Sequence, residues 1–153
     1  MKFKLLFIFA LLNAHFCLAE PLKAVQLPDQ FDTLTSIDAS TKWIVYSRDK
    51  DLSNHINKAL EELKITDIKA LQGAYVADIS EMPGMITTLF ALPKMKKYPF
   101  KVILDKKGDI TASWPQKKGH VSLIELDQLE VMKAEQTASF DEIKKFLESK
   151  NKQ

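Results

Sequence analysis

The sequence predicts an α/β fold, a three-layer sandwich in which a mixed central β-sheet is flanked by helices. Three observations carry this expectation. Short β-prone runs alternate with amphipathic helical stretches over the first two thirds of the chain, as parallel strands joined by helical crossovers require. Two adjacent strand-like runs follow, and an amphipathic helix closes the chain. The composition, 46% hydrophobic and 27% charged in 153 residues, suits one buried core and excludes a disordered or collagen-like chain.

The opening segment reads as an address. Lys2 and Lys4 supply a short positive start, Leu5 to Leu12 is an unbroken apolar run, and Cys17-Leu18-Ala19 precedes Glu20-Pro21. This is the pattern of a secretory signal peptide cut between Ala19 and Glu20. A membrane-spanning helix needs about 20 apolar residues, and Asn13 and His15 interrupt this run too early. A lipoprotein signal at Cys17 is disfavoured by the bulky Phe16 before it. The expected organisation is therefore a signal peptide, residues 1–19, and a single exported, periplasmic domain, residues 20–153. Removing Lys2 and Lys4 leaves 20 basic residues against 20 acidic ones, so net charge gives no argument for nucleic acid. Cys17, the only cysteine, also leaves. The 134-residue domain must rely on its core rather than on disulfides.

Along the domain, Val25, Leu27, Leu34 and Ile37 form a hairpin around Pro28-Asp29. Trp43 to Tyr46 is a buried central strand. After the polar break Ser47 to Asp51, with Asp51 as N-cap, the apolar positions Leu52, Ile56, Ala59, Leu60 and Leu63 mark a helix. Ile65 to Gln72 is a short strand or helical turn, and Ala74 to Ile79 is the next strand. Ser80 caps a helix from Met82-Pro83 through Phe90, which Pro93 ends or kinks. Lys101 to Asp105 is a strand, Lys106 to Asp109 a hairpin turn, and Ile110 to Trp114 the returning strand. His120 to Leu126 and Leu129 to Ala134 pair about Asp127-Gln128. Phe140, Ile143, Phe146 and Leu147 form the closing helix, capped by Ser139.

Three pieces of this layout resemble the thioredoxin-like superfamily, particularly its exported and peroxiredoxin-like branches, including small bacterial proteins of uncharacterised function. They are Leu27 to Phe31 with the strand Trp43 to Tyr46, the run Tyr98 to Asp109, and the closing helix from Phe140 to Leu147. The resemblance spans residues 23–150 and implies a thioredoxin-like fold. It also implies that Pro99 is the superfamily's cis-proline, with the backbone of Tyr98 offered to an extended peptide. The family's redox motif belongs directly after the first central strand. That window here reads Ser47-Arg48-Asp49-Lys50-Asp51-Leu52, without a cysteine. Thiol–disulfide exchange and thiol peroxidase chemistry need a thiolate, which residues 20–153 cannot supply.

Other chemistry is sparse. Arg48, the only arginine, and Lys50 stand at a helix N-terminus, where an anion is favoured; solvated loop charges explain them equally. Asp49 and Asp51 invite an acid/base reading, for which helix capping is the simpler account of Asp51. His55 and His120 have no second histidine at ligand spacing, so no metal site or other cofactor is expected. The lysines 94, 96, 97, 101, 106, 107, 117 and 118 face few acidic residues nearby. They suit a solvated surface, or contact with anionic lipid or an acidic partner if Met95, Phe100 and Trp114 are exposed beside them.

The expected function is a non-redox adaptor or chaperone-like protein that binds an extended peptide or envelope partner at Arg48, Asp49, Lys50, Tyr98 and Pro99. The alternatives are a non-redox enzyme using Arg48, Asp49, Lys50 and His55, and an envelope-surface protein docking through the lysine cluster.

Overall fold

The computed structural model describes residues 20–152; the signal-peptide segment and Cys17 lie outside the described residues. Strands β1 (Val25–Pro28) and β2 (Leu34–Ile37) form an antiparallel hairpin. The main sheet has the order β5-β4-β3-β6-β7, with β3 (Trp43–Ser47), β4 (Gly73–Asp78), β5 (Ile103–Asp105), β6 (Val121–Asp127) and β7 (Glu130–Thr137). β3, β4 and β5 run parallel, while β6 and β7 are antiparallel neighbours on the other side of β3.

Residues of β3 to β6 alternate between the two faces of this sheet, as the pleat demands, while a register shift opposite Glu125 and Leu126 interrupts the alternation in β7. Trp43, Val45, Tyr75, Ala77, Leu104, Val121 and Leu123 point to one core, which also holds Leu52, Ile56, Ala59 and Leu60 of α1 (Lys50–Glu62). Ile143 and Leu147 of the C-terminal helix (Phe140–Asn151) complete it. Ile44, Tyr46, Ala74, Val76, Ile103 and Ile124 point the other way, against Leu27 and Ile37 of the hairpin and Trp114. The three layers are therefore helices, sheet, and a layer of hairpin and turn. Gly73 opens β4 where a Cβ would stand 2.1 Å from the Trp43 indole, so only glycine lets that ring close the core.

The mixed sheet, the early hairpin, the strand pair before the last helix and the Ser139 cap follow the sequence expectation. Four local expectations are corrected. The N-cap of α1 is Asp49, whose carboxylate accepts from the N–H groups of Asp51 and Leu52, because Asp49 holds the extended backbone that a cap needs. Ser80 caps nothing: its N–H donates to Asp78, and the helical crossover starts only at Gly84, behind Pro83.

Ile110 to Trp114 forms no strand. The buried carboxylate of Asp105 accepts from the N–H groups of Lys107, Gly108 and Thr111 and from the Thr111 hydroxyl, folding residues 111–113 into a 3₁₀ turn instead. Pro99 is not cis, since no peptide bond among the described residues is. The turn bonds Lys97 N–H to Lys94 O and Tyr98 N–H to Met95 O bring the chain to β5 through the lower-energy trans bond.

The crossover between β4 and β5 is one helical stretch with an irregular middle. α2 (Gly84–Ile86) passes into a π-helical turn, Thr87–Ala91, and then α3 (Leu92–Met95); the C-terminal helix is thus α4. Met82, Leu92 and Met95 rest against the helix-side core. Gln30 pins the far end of the crossover: its Nε2 donates to Phe100 O at 2.8 Å and its Oε1 accepts from Val102 N–H at 2.8 Å.

Candidate functional site

The C-terminal ends of β3 and β4, the start of α1 and the underside of the second crossover enclose a cavity of about 270 Å³. Its lining contains Arg48, Asp49, Lys50 and Tyr98 of the expected peptide site, and Lys94 and Met95 of the lysine-cluster reading, but neither His55 nor Pro99. The apolar part comes from Tyr75, Ala77, Ile79, Met82, Met95 and Val102. A small cleft with an apolar wall and a few polar groups is the usual form of a site for a side chain or small ligand.

Local chemistry assigns each polar residue a task. Asp49 is committed to capping α1, and its backbone is tied down as well: Ser47 Oγ accepts from its N–H, and its carbonyl accepts from Ser53 Oγ at 2.8 Å. Arg48 is not a free anion receptor. Its guanidinium meets Asp78 at 3.5 Å, Glu81 at 2.8 Å and the Gln116 side-chain oxygen at 3.3 Å. Gln116 also accepts from the Tyr46 hydroxyl and donates to the Thr111 carbonyl, joining the cavity rim to the 3₁₀ turn. Gly108, at φ 73°, comes so close to Ser80 and Asp78 that a Cβ would lie 2.5 Å from Ser80 Oγ. Lys50 is exposed and forms no ion pair among the described residues.

Deeper in the cavity, Asn57 Nδ2 donates to the Tyr98 hydroxyl at 3.0 Å, while Asn57 Oδ1 is buried without a hydrogen-bond partner. An orphaned buried acceptor is costly unless a ligand or water completes it. Burial raises the Tyr98 hydroxyl above its ordinary pKa, and the Glu61 carboxylate adds to the effect, so the phenol stays protonated at neutral pH. The Tyr98 ring is stacked on Phe100 with centroids 5.2 Å apart. Its backbone N–H is already bonded to Met95 O, so it is not available to pair with an extended peptide, the role the resemblance implied.

Apart from Lys94 and Met95, the other candidates lie elsewhere. His55 faces α4, edge-on to Phe140 at 6.0 Å, so the set Arg48, Asp49, Lys50 and His55 does not converge on one point. His120 is bonded through its ring to Lys118 O. Of the lysine cluster, Lys101 pairs with buried Asp29 at 3.2 Å and Lys106 with Asp32 at 2.6 Å. Phe100 and Trp114 are buried and Met95 is half-buried, so they form no exposed patch beside it. Among the described residues no group of histidine, cysteine, aspartate and glutamate could hold a metal ion.

Asn57, Asp78, Glu81 and Gln116 were missed in the sequence. A signal existed for the first two. Asn57 falls on the apolar stripe of α1, one residue from Ile56, and Asp78 ends an otherwise apolar strand. Glu81 and Gln116 stand in polar loops, where nothing marks them.

Comparison with solved structures gives the same architecture. The thioredoxin domain of a thiol-disulfide oxidoreductase from Bacteroides vulgatus aligns at TM-score 0.55 and 13% identity, over 86% of this chain and 96% of that one. Peroxidoxin BcpB from Mycobacterium tuberculosis aligns at TM-score 0.55 and 11% identity, over 86% and 96%. The fold is thioredoxin-like. A SCO1/SenC family lipoprotein from Bacillus anthracis shares it at TM-score 0.54 and 12% identity, over 87% and 96% of the two chains. No protein-family model matches the sequence, and no curated protein sequence does. Within this thioredoxin-like fold, the cavity sits beside the β3–α1 junction, where the resemblance placed a redox motif. Residues 20–153 contain no cysteine, so the junction has no thiol of its own there.

Proposed function

We propose that the protein is an exported, non-redox binding module, an adaptor or chaperone-like protein, that receives an apolar side chain of an extended polypeptide in the cavity beside the β3–α1 junction. The observation that carries this reading is the buried, unpartnered Asn57 Oδ1 in a mostly apolar cavity. A polypeptide brings both an apolar side chain for the wall and an N–H for that acceptor. The committed cap at Asp49 and the divergent His55 favour binding over acid/base catalysis, which needs its groups within hydrogen-bond reach of one reacting atom.

The test is binding of residues 20–153 to a synthetic array of short unstructured peptides, with Ala91→Trp as the control. Ala91 lines the cavity from the half-exposed crossover, so the larger ring fills the space with little effect on the core. Retention of peptides rich in aromatic and aliphatic residues, lost in Ala91→Trp, supports the reading. Absence of retention, or retention unchanged in a folded Ala91→Trp protein, overturns it.

A further inference from the structure

The outer side of the second crossover carries the largest exposed apolar residues of the helical layer. Met85 is 73% exposed, Ile86 44%, Leu89 58% and Phe90 65%. At helical spacing, positions 85, 86, 89 and 90 share one face, and over residues 84–95 the stretch is about 18 Å long. Contiguous exposed apolar side chains of this size mark an interaction surface. What borders them indicates what that surface meets.

From Met82 to Leu104 the chain has no acidic residue and four lysines, Lys94, Lys96, Lys97 and Lys101. Lys101 is taken up by Asp29. Lys94, Lys96 and Lys97 are exposed and form no ion pair among the described residues. Lys94 reaches only the side-chain oxygen of Asn54, at 3.4 Å. Of the carboxylates around them, Glu81 is engaged by Arg48 and Asp32 by Lys106.

We infer that the second crossover docks on an anionic lipid surface, with Met85, Ile86, Leu89 and Phe90 entering the headgroup layer and Lys94, Lys96 and Lys97 meeting the lipid phosphates. This inference goes beyond the peptide-binding reading: Met85, Ile86, Leu89, Phe90, Lys96 and Lys97 lie outside the cavity lining, and Lys94 alone borders both surfaces. Apolar residues beside uncompensated lysines are the pattern of a helix that lies in a membrane interface rather than crossing it. No helix among the described residues is long and apolar enough to cross a membrane. A second copy fits the face poorly, because a symmetric contact would set the same three lysines against each other.

Flotation of residues 20–153 with vesicles tests the inference. Vesicles of phosphatidylcholine mixed with an equal amount of phosphatidylglycerol should carry the protein, vesicles of phosphatidylcholine alone should not, and raised salt should release it. The triple variant Lys94→Gln, Lys96→Gln, Lys97→Gln should bind roughly a hundredfold more weakly, and Leu89→Ser with Phe90→Ser should also lose association. These positions are exposed, so both variants should keep the native circular dichroism spectrum. Ala91→Trp should still float, which separates this surface from the cavity. No flotation with the anionic vesicles, or flotation unchanged in both variants, overturns the inference. So does concentration-dependent self-association abolished by Leu89→Ser with Phe90→Ser, which assigns the face to a second copy.

Discussion

The two crossovers of the parallel strands, β3 to β4 and β4 to β5, lie on the same side of the sheet yet are built in opposite ways. α1 is capped by Asp49 and buries Leu52, Ile56, Ala59 and Leu60, leaving its charged residues to solvent. The second crossover starts behind Pro83 without a side-chain cap, passes through a π-helical turn, and turns Met85, Ile86, Leu89 and Phe90 outward. The first crossover holds the fold together. The second is held by the fold, mainly at its exit by Gln30 and Asp29. Apolar residues in a crossover thus do not by themselves contribute to the core; what matters is the side of the helix they occupy.

Substitutions that separate the two crossovers sharpen this contrast. The largest effect is expected for Ile56→Ala, which empties a fully buried position of α1 and should cost about 2–5 kcal/mol in chemical denaturation. Leu89→Ala, an equally apolar change on the second crossover, should stay within about 0.5 kcal/mol. Equal losses at the two sites would break the comparison.

Next comes Gln30→Ala, which leaves Phe100 O and Val102 N–H without their buried partner and should cost about 1–3 kcal/mol for the stranded groups. Hydrogen exchange should show the loosening at residues 95–103 while α1 stays protected. Asp49→Ala should remove the α1 cap at about 1 kcal/mol, restored in large part by Asp49→Ser.

The smallest effect is a pH dependence at Asp29. Burial pushes its carboxyl up, but the N–H groups of Phe31 and Thr33 and the Lys101 ammonium outweigh this and hold it below its ordinary value of 3.8. A lowered folded pKa contributes stability that is intact above 3.8 and lost as pH falls through the folded value. Denaturation midpoints of the native chain and Asp29→Asn should therefore converge at the acid end. A gap that stays constant with pH would show that the carboxylate charge does not hold the crossover exit.

Much of the architecture was legible because burial on both sides of a sheet leaves a strong mark. Trp43 to Tyr46 and Ala74 to Ala77 are apolar at every position, and α1 and α4 show clean helical stripes. Other details depend on contacts that periodicity cannot register. Asp49 and Asp51 are equivalent as caps in sequence, and only the backbone at Asp49 decides between them. Residues 110–114 look like a strand until Asp105, buried six residues before Thr111, captures their first donors. At the candidate site, Arg48, Asp49, Lys50 and Tyr98 were found because the resemblance fixed where to look. Gln116 joins Arg48 from 68 residues away, a distance across which no local pattern reports. The outward face of the second crossover was hidden for a related reason. A hydrophobic stripe states that a face exists, not which neighbour it meets.

The most direct test of this contrast is the fluorescence of a Phe90→Trp variant of residues 20–153. The native tryptophans, Trp43 and Trp114, are buried and give a fixed background. The added indole should emit as a water-exposed group in buffer and shift to the blue, with loss of quenching by aqueous iodide, when mixed phosphatidylcholine and phosphatidylglycerol vesicles are added. An indole already blue-shifted and shielded in buffer would place position 90 inside the protein. That result would contradict the outward crossover and the lipid surface together.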